Sequence, residues 1–237
     1  DILGLKKKIS FFENKNLDEL IITSIDVVVT ERCSLNCKDC SNLMPYFKKP
    51  INITTEDIKN SLLAISKHAV FINELRIIGG EPFMNKDIFK MIKYSLDNGF
   101  KTLVLTNAMK PMLNNKNDLF RLNHLNLTIR VSIDHYLKEK HEQIRGPNSS
   151  VPMSEGLKWL SKNNFNYCLA TRLMWNEDET TTRENFKTFI RDNELKINAD
   201  SKIQLVTFAE MDEKSDTPEI TTECWKILNK NQSEVMC

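Results

Sequence analysis

Ile25-Asp26-Val27-Val28-Val29-Thr30 is a β-branched run that leads directly into Cys33-Ser34-Leu35-Asn36-Cys37-Lys38-Asp39-Cys40. The run reads as a buried strand. Packing alone does not explain three thiols in one short loop, because a buried structural cysteine ordinarily stands singly as a small hydrophobe. The C-x3-C-x2-C spacing reads instead as metal ligands on one turn of chain.

A regular alternation follows the loop. Pro45 and Pro50 bracket Tyr46-Phe47-Lys48-Lys49 and prevent a helix there. Thr54-Thr55-Glu56-Asp57 carries capping residues and first-turn acids, and opens a helix whose apolar face is Ile58, Leu62, Leu63 and Ile65. Leu75 to Ile78 reads as a second strand ending at Gly79-Gly80-Glu81-Pro82. Residues 85–98 read as a helix with Ile88, Phe89, Ile92 and Leu96 on one face and Gly99 just past its end. Further strands are expected over 101–106, 127–133, 166–173 and 202–208, with helices over 153–163 and 181–191; residues 108–126 are Asn-rich and give no clear pattern. Strands alternating with helices imply parallel pairing through right-handed crossovers. Six such units predict an α/β fold, a partial (β/α)6 barrel with its chemistry at the C-terminal ends of the strands. The expected organisation is an N-terminal segment over 1–21, a core domain over 22–210 and the start of a C-terminal extension over 211–237. Around Lys6-Lys7-Lys8 the reading is a solvated edge followed by a short helix.

Composition narrows the function classes. Of 237 residues, 33 are Lys or Arg and 32 are Asp or Glu, so no global field recruits nucleic acid or an anionic membrane. No apolar stretch has the length of a membrane span, and the first residues lack the apolar core of a signal peptide. Six cysteines, three of them clustered, make a poor disulfide framework and point to metal binding in a reducing, cytoplasmic setting. A chain that begins at Asp1 without Met and stops on Cys237 reads as a piece of a longer one.

A cubane of four irons and four sulfides takes one thiolate per iron, so three thiolates leave one iron open to a chelating cofactor or substrate. Zinc asks for a fourth ligand and tends to use paired C-x2-C halves, and no second pair exists here. At the end of strand two, Gly79 and Gly80 present no side chain to the barrel mouth, which allows a ligand to approach the backbone. A plain strand-to-helix turn is the alternative.

Cys33, Cys37 and Cys40, together with Gly79-Gly80-Glu81-Pro82 one βα unit later, resemble the radical S-adenosylmethionine (radical SAM) superfamily. The resemblance covers roughly 22–210. It implies a 4Fe–4S cluster on the three cysteines, with S-adenosylmethionine chelating the open iron. It implies an electron passed into the sulfonium, release of a 5′-deoxyadenosyl radical, and hydrogen-atom abstraction from a small-molecule or peptide substrate. A reductase such as flavodoxin or ferredoxin is the implied electron donor. Gly79, Gly80, Glu81 and Pro82 fall where the family contacts the methionine ammonium. Ser132 and Asp134 fall where it often contacts the ribose, with a cap or turn as the alternative for Asp134. Arg172 matches a partner of the methionine carboxylate, with a structural ion pair as the rival. Thr106-Asn107 resembles a Thr-Asn pair at the mouth. The family's usual aromatic residue before the third cysteine is replaced by Asp39, which leaves the adenine contact unassigned.

The stretch from His135 through His141-Glu142-Gln143-Ile144-Arg145-Gly146 resembles members that carry a C-terminal auxiliary-cluster domain of twitch or SPASM type. His135, His141 and Arg145 are read either as substrate contacts over the mouth or as surface residues of a βα loop. His68 and His124 read as exposed or structural, and Cys168 as strand core. Cys224 and Cys237 are candidate first ligands of a second iron–sulfur cluster, or free thiols. Glycyl-radical activation, cofactor biosynthesis and a non-catalytic metal protein stand as alternatives to a tailoring enzyme.

Overall fold

The computed structural model describes residues 23–66 and 72–209. Lys6-Lys7-Lys8, His68, Cys224 and Cys237 lie outside them. Six strands form one sheet in simple sequence order. They are β1 (Ser24–Thr30), β2 (Glu74–Gly79), β3 (Lys101–Thr106), β4 (Leu127–Ser132), β5 (Asn166–Leu173) and β6 (Leu205–Ala209). Every neighbouring pair is parallel. All the C-terminal strand ends therefore open on one rim, as the βα alternation requires. Between them run α1 (Thr55–Ile65), α2 (Ile88–Asp97), α3 (Lys110–Leu113), α4 (Lys116–Arg121), α5 (Lys138–Arg145), α6 (Ser150–Lys162) and α7 (Glu179–Asp192).

The core fills the space between sheet and helices. Leu75 and Ile77 of β2, Ile129 and Val131 of β4, and Leu169 of β5 are fully buried, together with Ile88 and Ile92 of α2, Leu157 and Leu160 of α6 and Phe186 of α7. Helix α1 starts on a complete capping box. Thr54 Oγ1 accepts from Asp57 N, and Asp57 accepts from Thr54 N. Its buried face is Ile58 and Leu62, whereas Leu63, expected on that face, is 47% exposed.

Other boundaries also differ from the sequence pattern for local reasons. Helix α2 begins at Ile88 because the Asn85 side chain is spent elsewhere, donating to Val29 O (2.7 Å) and Ile53 O (2.9 Å). Strand β6 begins at Leu205 instead of Lys202, because the Ser201 carbonyl takes the amides of Gln204 (3.1 Å) and Leu205 (2.9 Å) in a turn. Residues 108–126 form the two short helices α3 and α4. No helix among the described residues is long and apolar enough to cross a membrane.

Candidate active site

The rim at the strand ends holds the cysteine loop. Cys33, Cys37 and Cys40 are half-buried free thiols. Burial pushes the Cys33 thiol up to about 11 and raises Cys37, the latter against the pull of the Arg145 guanidinium. Free, these groups stay protonated, so a metal must displace their protons as it binds. Among the described residues, no three His, Cys, Asp or Glu side chains converge on a single-ion position. A cubane asks for something else, one thiolate at each of three separate corners, and three cysteines on one loop suit that demand.

The Gly79-Gly80 pair sits directly under the loop. A Cβ on Gly79 would lie 2.3 Å from Thr30 O, and one on Gly80 would lie 2.2 Å from Arg32 O. Gly79 also has φ +138°, which an L side chain rarely adopts. The backbone entering the cysteine loop occupies this space, so the glycines admit that strand end and not only a ligand. Gly80 N donates to Thr30 O and Glu81 N to Arg32 O, both at 2.8 Å, while Asn42 Nδ2 donates to Gly79 O at 3.0 Å.

Glu81 turns inward. It is fully buried and accepts from Thr106 Oγ1 (2.8 Å), Asn107 N (2.8 Å) and Phe83 N (3.3 Å). Burial raises its carboxyl to about 7 despite these three donors. Its side chain is thus a brace between β2 and β3, leaving the backbone of residues 79–82 as the contacting surface. Asn107 reaches across to the loop, donating from Nδ2 to Ser34 Oγ at 3.1 Å.

A charged cluster holds the other side of the loop. Asp134 is buried, and takes Arg145 Nε on one oxygen (2.7 Å) and Arg172 Nε on the other (2.9 Å). Burial works to raise the Asp134 carboxyl, but the two guanidiniums hold it below its ordinary value. Arg172 Nη1 then reaches Asp39 O at 3.4 Å, and Lys38 N donates to Ile144 O at 2.8 Å. Asp134 therefore acts as an ion-pair centre instead of a cap or turn, and Arg172 makes the ion pair weighed against a carboxylate contact. Ser132 is half-buried at the end of β4, and the Asp39 side chain is exposed.

His135, His141 and Arg145 are neither loop surface nor free contacts over the mouth. His135 is buried; its Nδ1 accepts from Leu137 N (2.9 Å), so the neutral ring carries its proton on Nε2 and donates to Glu177 Oε1 (3.0 Å). Glu177 also takes Tyr136 Oη and Lys140 Nζ. His141 is buried with no partner on either nitrogen, and desolvation, then Arg145, lowers it to about 4. Helix α5 turns His141 and Ile144 inward together, three residues apart on one face. His124 is exposed, and Cys168 is buried in β5. The pairing of Asp134 with two arginines had no signal in the local pattern, since its partners lie 11 and 38 residues away.

The family model describing the radical SAM superfamily matches residues 27–189. This chain belongs to the radical SAM superfamily. Members of this superfamily are enzymes that use a 4Fe–4S cluster and S-adenosylmethionine. The radical SAM chain is similar to "7,8-dihydro-6-hydroxymethylpterin dimethyltransferase" of Methanocaldococcus jannaschii, 33% identical over 130 residues, 54% of this chain and 25% of that protein. It is similar to "AdoMet-dependent heme synthase" of Methanosarcina barkeri, 27% identical over 158 residues, 65% of this chain and 44% of that one. A shorter match, 31% identical over 81 residues, links 34% of it to 21% of the "PqqA peptide cyclase" of Bradyrhizobium diazoefficiens. The chain thus spans less than half the length of these curated relatives. Among solved structures, Streptococcus suis SuiB shares the fold with TM-score 0.64 at 14% identity, over 87% of this chain and 44% of that one. The enzyme anSMEcpe, with bound AdoMet and the Kp18Cys peptide, has TM-score 0.58 at 15% identity, over 84% and 54%.

Proposed function

We propose that Cys33, Cys37 and Cys40 hold a 4Fe–4S cluster, and that S-adenosylmethionine binds beside it at the ends of β2 to β5. Bound there, the pair supplies reductive cleavage of the sulfonium and a 5′-deoxyadenosyl radical that takes a hydrogen atom from substrate. The residues fit this role by donor chemistry and by support. The observation that carries the reading is that the three-cysteine loop packs on Gly79 and Gly80 at 2.2–2.3 Å of a missing Cβ, joining the two motifs in one site.

The chain's own groups have separable tasks. The backbone of residues 79–82 offers the surface for the methionine ammonium, while Glu81 and Asn107 fix that turn to β3 and to the loop. Ser132, beside Asp134 on the rim, offers the ribose contact. Arg172 keeps its second nitrogen toward Asp39 O, and any carboxylate contact must share the guanidinium with Asp134. Burial of the loop's thiols excludes water from the ligands.

For substrate class we propose a peptide or small molecule. SuiB is described bound to the precursor peptide SuiA and anSMEcpe to a Kp18Cys peptide, while the curated relatives include a peptide cyclase and a pterin dimethyltransferase. The free thiols of the described residues suit a reducing, cytoplasmic setting. Cys224 and Cys237, in the 211–237 extension, are proposed as ligands of a second cluster.

The test is anaerobic reconstitution with iron and sulfide, followed by reduction with dithionite in the presence of S-adenosylmethionine. About four irons per chain and release of 5′-deoxyadenosine are expected, with both lost in Cys33→Ala. About eight irons falling to about four in Cys224→Ala would establish the second cluster. A loaded cluster that never yields 5′-deoxyadenosine would refute the catalytic reading.

A further inference from the structure

The outer side of the cysteine loop differs from its barrel side. An open cleft of about 490 Å³ lies there, walled by Arg32, Cys33, Leu35, Phe47, Pro50 and Met84 among others. None of its lining residues comes from the ends of β3, β4 or β5, where Asn107, Asp134 and Arg172 mark the cofactor side. One proposed cluster ligand, Cys33, is part of the wall.

Around this cleft the chain exposes side chains that folding does not need outside. Tyr46 is 78% exposed, and Leu43, Phe47 and Ile51 are exposed as well. Leu43 sits at φ 55°, a left-handed conformation that costs a non-glycine residue, and it starts the tight turn Met44–Tyr46. Pro45 and Pro50 stiffen the segment, so its aromatic rings are presented with little ordering cost. Arg32, Lys48 and Lys49 are exposed on the same segment, and none makes an ion pair among the described residues. The acid that lines the cleft, Glu31, is already occupied, accepting from Ile51 N at 2.9 Å. The face therefore combines rigid aromatic anchors with three unpaired cations. That is the composition of a surface built for an acidic protein partner.

We infer that this face is the docking site for an acidic, one-electron protein reductant. The inference rests on the proposed function and names the partner of that same site. Reductive cleavage needs one electron per S-adenosylmethionine from outside the chain. The docked donor is oxidised by one electron and the cluster gains it; no proton or group moves in that step. Electron transfer weakens steeply with distance, and a donor seated in the cleft reaches the cluster through the single residue Cys33. Basic charge on this face speeds the encounter and aligns the donor.

The experiment compares two reductants on the same reconstituted enzyme, reading 5′-deoxyadenosine. One is dithionite, which needs no docking; the other is enzymatically reduced flavodoxin of known negative net charge. The variants are Lys48→Glu/Lys49→Glu, and Lys48→Ala/Lys49→Ala in case the charge reversal folds poorly. With flavodoxin at low salt, the reversal is expected to raise the donor concentration for half-maximal rate about tenfold or more, and the alanine pair by less. Added salt should weaken wild type in the same way. Dithionite-driven rates and iron per chain should stay at wild-type values. Equal loss with both reductants would mark a structural role and overturn the inference. So would unchanged flavodoxin kinetics in both variants. A wild-type dimer in sedimentation that the reversal dissociates, with flavodoxin kinetics unmoved, would give the face to a second copy and overturn it too. Failure of wild type to cleave with dithionite would instead bring down the proposed function, and this inference with it.

Discussion

The two halves of the cysteine loop are held by different physics. The first half, Arg32 to Asn36, is fixed by shape and by neutral hydrogen bonds. Its carbonyls accept from Gly80 and Glu81 just ahead of and within it, and Ser34 receives the Asn107 amide. The second half, Lys38 to Cys40, is fixed through charge. Asp134 gathers Arg145 and Arg172, and the elements carrying those arginines bond Lys38 N and Asp39 O. Cys33 therefore depends on the absence of two Cβ atoms, whereas Cys37 and Cys40 depend on a buried ion-pair centre. The contrast predicts that the halves fail under different perturbations.

The sharpest break is Gly79→Ala. It combines a Cβ 2.3 Å from Thr30 O with a φ of +138°, an overpacking and a backbone strain at one residue, each costing about 1–3 kcal/mol. Thermal unfolding should shift by the sum, and reconstituted protein should hold well under its full iron. Wild-type iron retention and melting would show that the strand end yields easily, and would remove the shape argument. Asp134→Asn comes next, at about 3 kcal/mol, the lower end for breaking a buried pair because Arg172 is a quarter exposed. Because the Asp134 carboxyl is held below its ordinary value, its stabilisation is present above pH 3.8 and is lost as pH falls through the lower folded value. Acid unfolding of wild type should steepen there, and Asp134→Asn should lack that component. Identical acid limbs in the two proteins would mean that the arginines do not depend on Asp134.

How much of this could be read beforehand follows the range of the interactions. β3 and β5 fall where hydrophobic alternation places them, and Gly99 closes α2 with φ +76°, because these are local preferences. The three cysteines and the Gly-Gly pair were legible as motifs. Their mutual contact was not, since it needs the register that sets Thr30 opposite Gly79 across 49 residues of chain. Hence the glycines read as room for a ligand, when the space they leave is first taken by the loop's own backbone. The same holds for His135 and Glu177, brought together 42 residues apart, and for His141, whose burial depends on which way α5 faces. Strand β6 was placed three residues early because a serine carbonyl, invisible to periodicity, captures the amides that would have extended it.

The mildest separation of the two halves uses pH alone, through Glu81. Its ordinary value is 4.5, and burial raises it to about 7 in the folded chain, outweighing the donors Asn107, Thr106 and Phe83. A raised folded value means that the folded state binds more protons than the unfolded one between the two values. The associated stability is complete below pH 4.5 and drains away as pH rises through about 7, the opposite direction to Asp134. In cluster-free protein, melting at pH 8 should therefore fall below melting at pH 5 by an amount that Glu81→Gln abolishes. The glutamine variant should also melt lower throughout, since its amide must face the Asn107 N–H that a carboxylate oxygen accepts. If the slope between pH 5 and 8 persists in Glu81→Gln, another group is responsible and the brace under the first half stays charged. If the slope disappears, the shape-held half of the loop rests on a carboxyl that is only partly ionised at neutral pH, and the charge-held half on one that is fully ionised.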